Sequence, residues 1–200
     1  MNYLAHIYLS GDDTMVAIGN FIADGIKGKK YERFDKKLQL GILLHRQIDY
    51  FTDTHPVVRQ SSKRLHQKYS HYAGVIVDIF YDHFLAKHWK NYSNTPLHEY
   101  VDQFYQVLKV HYEILPMRIQ HMLPYMTAEN WLLNYASKDG IATVLNGMNK
   151  RTKYKSGMHL AIEDLNMYYD DFQQEFTLFF NDLMDFSEAK RKELQQKLKI

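Results

Sequence analysis

The chain contains no cysteine. That excludes disulfides, thiolate-held metals and a cysteine nucleophile, so any metal must be held by imidazole and carboxylate groups. Proline and glycine are scarce, 4 and 9 in 200 residues, and hairpin signals are nearly absent, which argues against a β-rich fold. No apolar run approaches the roughly 18 residues of a membrane span. The first residues, MNYLAHIYLSGDD, place no basic stretch ahead of their apolar segment, so no secretory signal is expected. Nor is there a strong excess of charge: 25 Lys and Arg against 23 Asp and Glu. The expectation is a soluble, cytoplasmic protein that binds neither membrane nor nucleic acid; its oligomeric state is left open. Neither a GxGxxG nor a Walker sequence occurs, which speaks against nucleotide binding of those kinds.

What the chain does have is hydrophobic content of 46%, enough for one real core. Apolar residues recur at three and four almost throughout, the signature of helices. The fold expected is all-α: a single-domain helical bundle over residues 1–200. Helices are expected at about 3–9, 14–25, 35–52, 56–68, 72–90 and 96–115. A short piece lies between Pro116 and Pro124, another starts after Thr127, and a brief one covers 141–148. A long aromatic-rich helix is expected over 158–184, and a separate amphipathic one over 187–200.

Two segments combine apolar bulk with His and Asp at helical spacing: GILLHRQIDYFTD from Gly41 and DIFYDHFLAKHW from Asp78. His45, Asp49 and Asp53 are each four apart, so they stack on one face. Leu43, Leu44, Ile48 and Phe51 leave little room there for an idle polar stripe. The second helix is apolar nearly all round, as buried helices are. Asp78 and Asp82 then lie together inside the protein, where two carboxylates repel unless a cation, protons or basic side chains hold them. A divalent metal is one solution; pairing with Arg or Lys from elsewhere is the other. His6, alone on an apolar helix, and Asp24, ending GNFIAD, are further candidates, although a lone His is more often part of the core.

The series NYLAHIYLS, IGNFIADGIKG, GILLHRQIDYFTDTHP, DIFYDHFLAKHW, NWLLNY and VLNGM resembles the acyl carrier protein phosphodiesterase family, from Met1 to about Met148. That family is similar to the helical HD-domain phosphohydrolases. The resemblance implies a metal-dependent phosphodiesterase that removes the 4′-phosphopantetheine arm from holo acyl carrier protein. Manganese is the implied cofactor, with magnesium or ferrous iron as substitutes. Helical geometry nominates His6, Asp24, His45, Asp78 and Asp82 as ligands, with His45, Asp78 and Asp82 foremost. Asp49 is a catalytic candidate beside them. Arg46 is expected to clamp the phosphate, and His83 to act as an acid. Acyl carrier protein is small and acidic. The basic residues flanking the first motif, Lys27, Lys29, Lys30, Arg33, Arg59 and Lys63, are therefore the expected docking surface. Two other readings stay open: an HD-like phosphohydrolase of small phosphate esters or nucleotides, and a non-enzymatic helical binding protein.

Overall fold

The computed structural model describes residues 1–200 and consists of helices and turns with no strand. Eleven α-helices follow one another: α1 Tyr3–Tyr8, α2 Thr14–Ile22, α3 Lys36–Thr54, α4 Pro56–Tyr69, α5 Ala73–Lys87, α6 Leu97–Val110, α7 Met117–Ala128, α8 Trp131–Asn134, α9 Lys138–Arg151, α10 Ala161–Met167 and α11 Tyr169–Leu198. A 3-10 segment, Gly28–Arg33, links α2 to α3.

Local chemistry accounts for many boundaries. Asp13 caps α2, its carboxylate accepting from the N–H groups of Met15 and Val16. Pro56 sits in the first turn of α4, where its missing N–H costs nothing. The sequence expectations fail where tertiary packing decides. No break separates 158–184 from 187–200: α11 runs unbroken through Ser187, which packs inward, and contains no Pro or Gly to stop it. The break falls earlier, at Tyr168, whose backbone leaves the helical region. Pro124 lies inside α7 rather than bounding it.

The core is built around α5. Ile76, Val77, Ile79, Phe80, Tyr81, Phe84 and Leu85 are fully enclosed, and α11 supplies Phe172, Phe176 and Phe179 against them, with Phe180 stacked on Phe176. The aromatic-rich segment is therefore core. Each such ring contributes about 1.5–3 kcal/mol by leaving water. Arg64 of α4 grips Glu175 of α11 with two hydrogen bonds of 2.8 and 2.7 Å, locking these helices together.

Helices α2 and α3 pack backbone to backbone. A Cβ on Gly41 would stand 2.1 Å from the carbonyl oxygen of Val16, and one on Gly19 would stand 2.3 Å from that of Leu38. Only glycine permits this approach. It brings Asn20, the residue after Gly19, against His45, four residues after Gly41.

Candidate metal centre

His6 from α1 and His45 and Asp49 from α3 converge at the floor of a cleft of about 490 Å³. Their ligand atoms lie within 4.8 Å of one another, and the three form a group that could hold a metal ion. The two imidazoles stack at 3.9 Å, only 20° from parallel. Each Nε2 addresses a different oxygen of the same carboxylate: His6 to Asp49 Oδ1 at 3.2 Å and His45 to Asp49 Oδ2 at 3.1 Å. The rings are buried, whereas the Asp49 side chain is 43% exposed and faces the cleft. Asp24 completes the arrangement, with Oδ1 3.2 Å from His45 Nε2.

The charges follow from these contacts. Burial pulls His45 down, but the hydrogen bonds to Asp24 and Asp49 prevail and raise it to about 9. Burial and the neighbouring His45 charge push His6 down to about 4, against the pull of Asp49. Burial opposes the ionised form of Asp49, yet the bonds from His45 and His6 hold it well below the usual carboxylate range. The two carboxylates thus favour a proton on His45 over one on His6.

The other predicted residues are engaged by other partners. Asp78 lines the cleft, but its Oδ1 accepts from the Met1 amino group at 2.9 Å. Asp82 does not line it. It is fully buried, with Oδ1 accepting from the Asn2 N–H at 3.2 Å and Oδ2 from the Leu4 N–H at 2.8 Å. It caps the first turn of α1 from a helix some eighty residues away, satisfying donors the helix leaves open. The two acidic groups of α5 did need compensation, and the start of α1 provides it. Burial raises Asp82 to about 7 despite these partners.

Arg46 turns away from the cleft. Its Nη2 donates to the carbonyls of Ile26 and Gly28 at 2.8 and 2.9 Å, and its guanidinium lies over Tyr31. It pins the basic loop, so a direct grip on phosphate is not its arrangement here. His83 is also remote. Its Nδ1 meets the Tyr135 carbonyl at 2.7 Å and its Nε2 the Tyr169 hydroxyl at 2.9 Å, while burial lowers it to about 4. Lys27, Lys29, Lys30 and Arg33 are exposed on the loop that follows Asp24. Arg59 and Lys63 are exposed on α4, where Arg59 Nε donates to the Asp53 carbonyl at 3.2 Å.

Sequence reasoning missed three contributors. Asn20 lies buried against the Nδ1 atoms of both imidazoles; an Asn within the largely apolar TMVAIGNFI was the available signal. Arg118 of α7 and Arg151 of α9 also line the cleft, with Trp131, Val144 and Met148. Arg151 stood in a visible basic run, but nothing local marked Arg118. A larger cavity of about 620 Å³, bounded by Tyr8, Tyr92, Tyr100 and Arg191, has no histidine in its lining; the group of His6, His45 and Asp49 lines the smaller one.

Fold and site define an all-helical protein with a candidate metal centre of two imidazoles and a carboxylate, set in a cleft. The chain belongs to the acyl carrier protein phosphodiesterase family, whose profile matches residues 1–183. It is 32% identical over 195 residues to an acyl carrier protein phosphodiesterase of Escherichia coli, covering 97% of this chain and 100% of that one. A protein of the same name from Photorhabdus laumondii is 31% identical over 191 residues, 95% and 96% of the two chains. One from Yersinia enterocolitica is 29% identical over 192 residues, 96% and 100%. No solved structure matches the chain. No helix is long and apolar enough to cross a membrane.

Proposed function

We propose that this protein is a metal-dependent phosphodiesterase that hydrolyses the 4′-phosphopantetheine arm from holo acyl carrier protein, leaving the apo protein. The observation that carries the metal-dependent reading is the convergence of His6, His45 and Asp49 within a cleft; the substrate follows from the family. Two imidazoles and a carboxylate without thiolate suit manganese, with magnesium or ferrous iron as substitutes. What such an ion supplies when bound is Lewis acidity toward a phosphoryl oxygen and acidification of water.

The protein's own groups do the rest. His6, His45 and Asp49 would hold the ion, with Asp24 against His45 Nε2. Arg118 and Arg151 line the same cleft and are suited to hold the non-bridging phosphate oxygens. Trp131, Val144 and Met148 offer an apolar wall for the leaving arm. Hydrolysis adds the elements of water across the bond between phosphorus and the serine oxygen, releasing 4′-phosphopantetheine and a free serine hydroxyl.

The exposed Lys27, Lys29, Lys30 and Arg33, with Arg59 and Lys63, serve as the docking surface for the acidic carrier protein, mostly by speeding encounter. Such a substrate places the protein in the cytoplasm, acting as one domain over residues 1–200. The direct test is mass spectrometry of holo acyl carrier protein incubated with the enzyme and manganese. Loss of the arm is expected. No conversion by protein shown to contain the metal refutes the proposal, and hydrolysis of nucleotides in its place would transfer the site to small phosphate esters.

A further inference from the structure

We infer that Asn20 is a positioning residue that fixes the proton of both imidazoles on Nδ1, so that His6 and His45 together present Nε2 to one cation. The inference rests on the reading of His6, His45 and Asp49 as a cation site.

Asn20 is wholly buried and uses its entire hydrogen-bonding capacity. Its Nδ2 lies 2.9 Å from the His6 carbonyl and 3.0 Å from Ser10 Oγ. Its Oδ1 lies 2.8 Å from His6 Nδ1 and 3.1 Å from His45 Nδ1. The His6 carbonyl can only accept, so the group facing it must be the amide NH₂. The group facing the two rings is then the amide oxygen, which can only accept. Both Nδ1 atoms must therefore donate. A neutral imidazole carries one N–H, so a neutral ring in this pocket has a bare lone pair on Nε2.

Both Nε2 atoms point at Asp49, at 3.2 and 3.1 Å. Without a cation, His45 faces Asp49 and Asp24 only with a second proton on Nε2, and the neutral His6 aims a lone pair at Asp49; a cation between the rings and Asp49 takes the place of that proton and turns every contact favourable. The near-parallel stack keeps both atoms on one side. One amide thus does for two ligands what metal sites usually assign to a separate partner for each. A tie between α1 and α2 would need only the Nδ2 contacts. The shared Oδ1 is the part that a purely structural role leaves unexplained.

The test is a ¹H–¹⁵N spectrum of the imidazole groups in ¹⁵N-labelled full-length protein, with and without zinc as a diamagnetic probe, alongside manganese titration calorimetry. Two protected Nδ1–H correlations, from His6 and His45, are expected before and after zinc. Asn20→Ala should lose both and weaken manganese binding about 10–100-fold. Ser10→Ala removes one Nδ2 partner; it should lower stability yet keep both correlations and bind manganese within about threefold of wild type. An unprotonated Nδ1 on either ring of the wild-type protein overturns the inference, even if Asn20→Ala fails to fold. So does a folded Asn20→Ala with wild-type affinity. Correct tautomers without manganese or zinc binding would sustain the role of Asn20 and remove the cation site.

Discussion

Replacing Gly41 with alanine tests whether the α2–α3 contact builds the site. The new Cβ would lie 2.1 Å from the Val16 carbonyl oxygen, 2.6 Å from the Asn20 nitrogen and 2.8 Å from Gly19 Cα. All three are backbone atoms, so no side chain can swing aside. Restoring ordinary contact requires the helices to part by roughly 1 Å. The bond from His45 Nδ1 to Asn20, now 3.1 Å, would then pass out of hydrogen-bonding range. Overpacking costs about 1–3 kcal/mol and the lost buried bond about 1 more, offset by about 1 from the better helix former. The net expectation is a loss of about 2 kcal/mol, a fall of about 1 M in the urea midpoint followed by far-ultraviolet dichroism. Weaker manganese binding should accompany it. Gly147→Ala, in the interior of α9 with nothing within 4 Å of its added Cβ, should instead gain about 0.5–1 kcal/mol. The reasoning fails if Gly41→Ala matches the wild type in both midpoint and manganese affinity, or if Gly147→Ala is equally damaging.

Further outcomes follow from individual side chains. Asp82→Asn keeps one acceptor but turns an NH₂ toward an α1 N–H, and should cost about 2 kcal/mol in urea unfolding. His83 has a folded-state value near 4 because of burial, below its unfolded 6.5. The unfolded chain therefore binds more protons between those values, and stability falls as pH drops through that window by up to about 3 kcal/mol. Burial raises Asp82, which opposes this trend, so the difference between wild type and His83→Gln across pH 4–7 isolates the histidine; parallel curves would exclude it. Arg118→Gln and Arg151→Gln should each lower kcat/KM on holo acyl carrier protein by about tenfold or more while leaving manganese affinity unchanged in calorimetry. A matching loss of metal binding would contradict their assignment to substrate.

Much of the helical layout was legible because periodicity, Asp13 and Pro56 act locally. His45 and Asp49 were legible for the same reason: their i, i+4 spacing on an apolar helix is a one-helix property. Asp78 and Asp82 show the limit. Sequence reasoning correctly held that buried acidic groups need compensation, but the compensating groups, Met1, Asn2 and Leu4, lie about eighty residues away and belong to backbone. Arg46 sits about a quarter-turn from His45, so its separate direction was geometrically foreseeable; its carbonyl partners in the basic loop were not. His83 similarly follows Asp82 but faces Tyr135 and Tyr169. Asn20, Arg118 and Arg151 reach the cleft and its imidazoles only through tertiary proximity, which no spacing encodes.

The grip of Asp82 on α1 also orders events during synthesis. A six-residue helix has no stability of its own in water. His6 emerges from the ribosome early, yet its helix has no anchor until Asp82 has been made. At about 5–20 residues per second that is several seconds later. The Arg118 and Arg151 wall arrives later still. A nascent chain can bring His45 and Asp49 together on α3 before then, but not the third member of the group. The three-residue group is therefore complete only after α5 has folded, so the buried floor of the cleft is among the later features of the chain to form.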